Sequence, residues 1–97
     1  MKVKVDLNKS ATIIVDHGNR HQVFSTKNVA DTIESIRALL GAESIQVSWK
    51  IYHGAPVSVD KQNATMMKRA QKIATALGFD VVSYSQIDGV SFGFDLA

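Results

Sequence analysis

Apolar residues recur at every second position along most of this chain, and that period constrains the fold more than any other feature. Val3, Val5 and Leu7 alternate with Lys2, Lys4 and Asp6. Ala11, Ile13 and Val15 resume the alternation after Asn8-Lys9-Ser10. Successive side chains of an extended strand point to opposite faces, so a period of two marks a strand with one buried face. A three-residue loop sets Leu7 opposite Ala11, Val5 opposite Ile13 and Val3 opposite Val15, all on one side. A two-residue loop breaks that match, so three residues are expected.

The same reading extends along the chain. Asp16 to His21 is a polar turn built around Gly18-Asn19, and Gln22 to Ser25 makes a short third strand. Asn28 starts a helix, with Asp31 in a variant of the capping box. Val29, Ile33, Ile36 and Leu40 follow at helical spacing, and Gly41 suits the position after the helix. Ile45, Val47, Trp49 and Ile51 alternate with Gln46, Ser48, Lys50 and Tyr52 until His53-Gly54-Ala55-Pro56 breaks the strand. A second helix is expected from Asp60 or Asn63, either of which can cap it. Its apolar stripe is Met66, Ala70, Ile73 and Leu77, with Met67 and Ala74 beside it, and Gly78 ends it. Asp88-Gly89 signals a hairpin with a two-residue turn. That turn pairs Ile87 with Val90, Ser85 with Phe92, Ser83 with Phe94 and Val81 with Leu96. Phe92, Phe94, Val90 and Leu96 then face the core, and Tyr84 lies over Gly93 on the other face.

The expected order is β-β-β-α-β-α-β-β, in one α+β domain over residues 1–97. Alternation in the strands implies an antiparallel or mixed sheet with one solvated face. The two helices pack on its other face, as a two-layer sandwich. Apolar residues make up 45% and charged residues 21% of the chain, which suits a packed core and not a disordered segment. There is no cysteine, so disulfides, thiol chemistry and thiolate metal ligands are excluded. No apolar run approaches the roughly 18 residues that span a bilayer. The N-terminal residues lack the apolar stretch of a signal peptide. A cytoplasmic protein without a membrane partner is expected.

Four features are candidates for function. Lys61, Lys68, Arg69 and Lys72 fall on the second helix with no acid among them, whereas Asp80, Asp88 and Asp95 follow with no base. Such a cluster offers a surface to phosphates or an acidic partner, with Lys27 or Arg20 as possible helpers. A net charge of only +2 fits an ordinary solvated face equally well. Ile14, Val23, Tyr52, Val82 and Tyr84 point away from the core set, and a contiguous patch there would mark an interface. Val82, Tyr84 and Tyr52 are its foremost candidates. His17 and His21, with Asp16, have the spacing of a helical metal pair, but Gly18-Asn19 makes the segment a turn. No metal site is expected.

The fourth feature is Asp16 itself, at the end of an apolar strand. A three-strand meander followed by helix and strand resembles, in chain order alone, nucleases of the ribonuclease H type. That likeness implies magnesium held by Asp16. Such sites need several converging carboxylates. Asp6, Asp31, Glu34, Glu43, Asp60, Asp80, Asp88 and Asp95 fall mostly at caps, turns and outward strand positions. No glycine-rich phosphate loop and no nucleophile elbow occur, so neither catalytic residues nor cofactors are expected.

The leading expectation is a non-enzymatic accessory protein of bacterial or phage type, acting through protein contacts or self-association. Nucleic-acid binding through the basic helix is the alternative. A small metal-dependent hydrolase around Asp16 is the third reading.

Overall fold

The computed structural model describes residues 2–7, 11–16, 18, 20–39 and 42–97. They form β1 (Lys2–Leu7), β2 (Ala11–Asp16), β3 (His21–Thr26), α1 (Val29–Arg37), β4 (Ser44–Lys50), α2 (Val59–Leu77), β5 (Val81–Gln86) and β6 (Ser91–Leu96). The order is the expected β-β-β-α-β-α-β-β. All strands join one sheet in the spatial order β3-β2-β1-β4-β6-β5. β1 and β4 are parallel, and the other neighbours are antiparallel. The sheet is therefore mixed, because β4 returns beside β1 only after the chain has crossed through β2, β3 and α1.

The β1–β2 ladder has the expected register, with Leu7 opposite Ala11, Val5 opposite Ile13 and Val3 opposite Val15. All six are buried, as a shared core face requires. The loop residues Asn8, Lys9 and Ser10 lie outside the described residues. Ile45, Val47 and Trp49 of β4 and Phe94 and Leu96 of β6 continue the core across the sheet. Ile33 and Ile36 of α1 and Ala70, Ile73 and Ala74 of α2 close it from above.

α1 is capped as its sequence implies: the Asp31 N–H donates to Asn28 Oδ1 at 2.8 Å. The return bond of the box goes one residue further back, from the Lys27 N–H to Asp31 Oδ2 at 3.2 Å. The expected end of this helix at Leu40-Gly41 lies outside the described residues. α2 starts differently from expectation. Ser58 is its cap and accepts the Lys61 N–H at 3.3 Å, while Asp60 sits in the first turn and Asn63 turns to Trp49. Its end at Gly78 is as expected, with the left-handed φ of 76° that glycine tolerates best.

The last hairpin departs from the expected register. The Ile87 N–H bonds the Ser91 carbonyl at 2.8 Å, which makes a three-residue loop of Asp88, Gly89 and Val90. Asp88 Oδ1 accepts the N–H groups of Val90 and Ser91, each at 2.8 Å, and this favours the longer loop. The shift of one residue pairs Tyr84 with Phe94 and Ser85 with Gly93. A bulge between Val81 and Ser83 absorbs it, so Val81 still meets Leu96. Tyr84 is thus on the helix side of the sheet and not over Gly93. Gly93 is covered instead by Ile87, whose Cδ1 lies 3.3 Å from where a β-carbon would stand. Val90, expected in the core, is 39% exposed in the loop.

The open face does not form a contiguous apolar patch. One row across it reads Val23, Ile14, Lys4, Gln46, Asp95. Ile14 and Val23 lie at the β3 edge, and polar residues of β1, β4 and β6 separate them from β5. Tyr52 lies beyond the end of β4, in the segment leading to α2. Among the described residues no helix is long and apolar enough to cross a membrane.

Candidate functional site

The spacing along α2 divides its four cations. At 100° per residue, Lys61, Lys68 and Lys72 fall within about 40° of one another. That direction is opposite to buried Ala70, Ile73 and Ala74, so the three lysines form one exposed line. Arg69 stands about 80° round the helix from Lys61 and is half-buried on the flank. The four residues are not one surface. Arg20 and Lys27 are exposed at the starts of β3 and α1. Arg37 donates to the Ala76 carbonyl at 2.9 Å and so ties the last turn of α1 to that of α2.

The shifted hairpin builds an aromatic group at the other end of the sheet. Trp49 and Phe94 meet edge to face with centroids 5.2 Å apart. Tyr84 lies 5.5 Å from Phe94 and stacks at 6.1 Å on Phe92. Asn63 joins them to α2: its Oδ1 accepts the Trp49 indole at 2.7 Å, and its Nδ2 donates to the Tyr84 hydroxyl at 3.0 Å. Tyr84 nevertheless remains 45% exposed, because β5 is the outermost strand. Val82, at the bulge, is 62% exposed, and Ile87 and Val90 are exposed beyond the other end of the strand. Val82 and Tyr84 therefore share the β5 edge, whereas Tyr52 stands apart from them.

Asp16 ends β2, and its Oδ1 accepts the Gly18 N–H at 2.9 Å in a local turn. His21 lies opposite Asp16 in the β2–β3 ladder. His17 is outside the described residues. Among the described residues no three His, Asp or Glu side chains gather in the way a metal ion needs.

A further feature escaped the sequence reading. An open cleft of about 600 Å³ lies where β1 and β4 end, between the sheet and one flank of α2. Buried Leu7 and Trp49 form its floor, and Asp6, Lys50, Met66 and Arg69 are among its walls. Gln62 shapes its mouth: it accepts the Tyr52 N–H and donates to the carbonyls of Tyr52 and Val57, each at 2.8 Å. Only the strand order brings these residues together, so no local spacing could have announced them.

The architecture defines the chain as a two-layer α+β protein with a six-stranded mixed sheet. Compared with protein-family models, curated proteins and solved structures, it has no significant match.

Proposed function

We propose that this is a non-enzymatic binding module acting through protein contacts, in the first place by pairing its β5 edge with a second copy of the chain. The observation that supports this is the character of that edge. Val81–Gln86 has neither charge nor proline, exposes Val82 and Tyr84, and pairs on one side only. Edge strands that must stay single are commonly blunted by lysine, proline or a bulge. Here the bulge lies at one end, and Ser83 to Gln86 keep a regular ladder with β6. Antiparallel pairing of the strand with itself satisfies a two-fold axis, the commonest symmetry of small oligomers. The lack of cysteine agrees with a reducing compartment, and this supports reading the module as cytoplasmic.

Light scattering during size exclusion tests the reading. A dimer is expected, and Val82→Lys with Ser85→Lys should convert it to a monomer of unchanged circular dichroism, since like charges then oppose across the axis. A wild-type chain that stays monomeric up to about 1 mM, where an interface worth only about 4 kcal/mol would be half formed, removes self-association.

The line of Lys61, Lys68 and Lys72 favours a second reading, contact with nucleic-acid phosphates. It carries no acid and faces directly away from the core. Binding should weaken with salt, by about 0.9 in log K per log unit of salt for each phosphate neutralised. It should fall in Lys68→Glu/Lys72→Glu. No binding to duplex DNA or to RNA at low salt rejects it.

A further inference from the structure

The two layers of this fold are unequal in width. Neighbouring strands lie roughly 4.8 Å apart and packed helices roughly 8–10 Å, so one helix covers about two strands. Six strands call for three helices, and among the described residues there are two. α1 lies against β3 and β2. α2 packs beside α1 and reaches Trp49 of β4 through Asn63. β6 and β5 are left without a helix of their own above them.

The strip so left is apolar. Phe92, Tyr84 and Gln86 share the helix side of the sheet with Trp49 and Phe94. Tyr84 leans across β6, its hydroxyl accepting from Asn63 and its ring against Phe92 and Phe94. Even so, Tyr84 is 45% exposed and Phe92 is only half-buried. On α2, Asn63, Met67 and Gln71 step along one flank at i, i+4 and i+8. The bond from Asn63 to Tyr84 turns that flank toward β5, and Met67 is half-buried on it.

The rim of the strip is basic. Lys61, Lys68 and Lys72 run along the outer side of this flank, and Asp60, in the first turn, is the only acid of α2. β5 itself carries no charge, and Asp80 and Asp88 lie beyond its ends. Its six residues span about 20 Å, the length of about 13 helical residues.

We propose that this strip docks an acidic amphipathic helix of a partner protein. The apolar stripe of that helix lies on Tyr84, Phe92 and Met67, and its acids face Lys61, Lys68 and Lys72. Such a helix in a groove is a common mode of recognition. It uses the helix side of β5, whereas self-pairing uses the hydrogen-bonding edge of that strand, so peptide binding and dimer formation can fail independently.

The probe is a synthetic peptide of about 14 residues, stapled to hold it helical, with leucines at i, i+3, i+4 and i+7 and glutamates elsewhere. Comparison peptides replace its glutamates by lysine or its leucines by serine. The acidic peptide should shift the Tyr84 and Phe92 ring resonances and the Met67 methyl saturably. Both comparison peptides should bind at least about tenfold more weakly. Lys68→Glu/Lys72→Glu should reverse the preference between the acidic and the basic peptide. Tyr84→Ser should weaken the acidic peptide at least about fivefold through lost apolar contact. Gln86→Glu, at an exposed position, should weaken it without altering the fold. Absence of a saturable shift overturns the proposal. So do shifts confined to the lysines, equal binding of either comparison peptide, or unchanged affinity in both Tyr84→Ser and Gln86→Glu.

Discussion

The indole N–H of Trp49 donates to Asn63 Oδ1 at 2.7 Å and fastens β4 to the early turns of α2. Trp49 is almost fully buried, so this donor has no access to bulk water. Leaving a buried donor unpaired costs about 1–3 kcal/mol. Asn63→Leu should lower stability by that amount in urea unfolding followed by circular dichroism. Asn63→Asp keeps an oxygen acceptor for the indole and should cost less. Equal losses in the two variants would mean that the bond itself contributes nothing.

Thr26 and Thr32 form a buried hydroxyl pair 2.6 Å apart, and Thr32 Oγ1 also donates to the Asn28 carbonyl at 2.9 Å. The pair locks the end of β3 to α1. Thr32→Val leaves the Thr26 hydroxyl only the Ala11 carbonyl, at 3.4 Å, and should cost about 1–2 kcal/mol. Adding Thr26→Val removes the stranded hydroxyl, and two valines fill the same space. The double variant should therefore lose less than the sum of the single ones, measured as a double-mutant cycle in urea.

Gly93 is closely enclosed within the sheet. A β-carbon there would stand 3.1 Å from the Val47 carbonyl oxygen, which is backbone and yields little. Gly93→Ala should cost about 1–3 kcal/mol through overpacking. Adding Ile87→Ala relieves only the side-chain contact and should not rescue it. Gly89 has open space around it and no positive φ, so Gly89→Ala should stay within about 0.5 kcal/mol of wild type. Thermal melts of the three variants make the comparison.

The Val90 N–H holds the Asp88 carboxyl below its ordinary 3.8, opposed by desolvation and aided by Ser91 and the charge of Lys50. A carboxyl that titrates lower when folded stabilises the fold above its unfolded value and loses that effect as the pH falls through its folded one. Asp88→Asn keeps an acceptor oxygen but no charge. The gap in urea midpoint between wild type and Asp88→Asn should be widest near neutrality and close below about pH 3.8. A gap that stays constant from about pH 6 to about pH 2 contradicts this account of the loop.

Legibility in the sequence followed how many constraints met at each element. The β1–β2 register was readable because loop length and alternation agree: only a three-residue loop keeps all six apolar residues on one face. The β5–β6 register was not. Val81, Ser83 and Ser85 make no stronger stripe than Val82, Tyr84 and Gln86, so alternation could not arbitrate. Asp88-Gly89 pointed to the shorter turn. Two interactions outweigh that signal: the Asp88 carboxylate gathers two loop amides, and Tyr84 gains Trp49, Phe94 and Asn63 as neighbours. Asn63 was similarly read as a cap because its type suits one. Ser58 fills that place, and Asn63 serves a tryptophan fourteen residues earlier.

The candidate surfaces divide along the same line. The outward line of Lys61, Lys68 and Lys72 follows from helical spacing alone, whereas the separation of Arg69 from it matters only once the cleft exists. Val82 and Tyr84 came together at an edge because β5 lies last in the sheet, which no property of Val81–Gln86 states.

The sequence alone determined which side chains of β1, β2 and β4 turn toward a core, the element order and the two helices over one face. Backbone geometry imposes those directions residue by residue, with periods of 2 and 3.6. Tertiary structure decided that β4 lies beside β1, that β5 is an edge, and that Leu7, Trp49, Lys50 and Arg69 surround one cleft. Those neighbours are far apart in the chain. They are chosen by which whole surfaces bury together and where the connecting segments can run, and a local period carries no record of that choice.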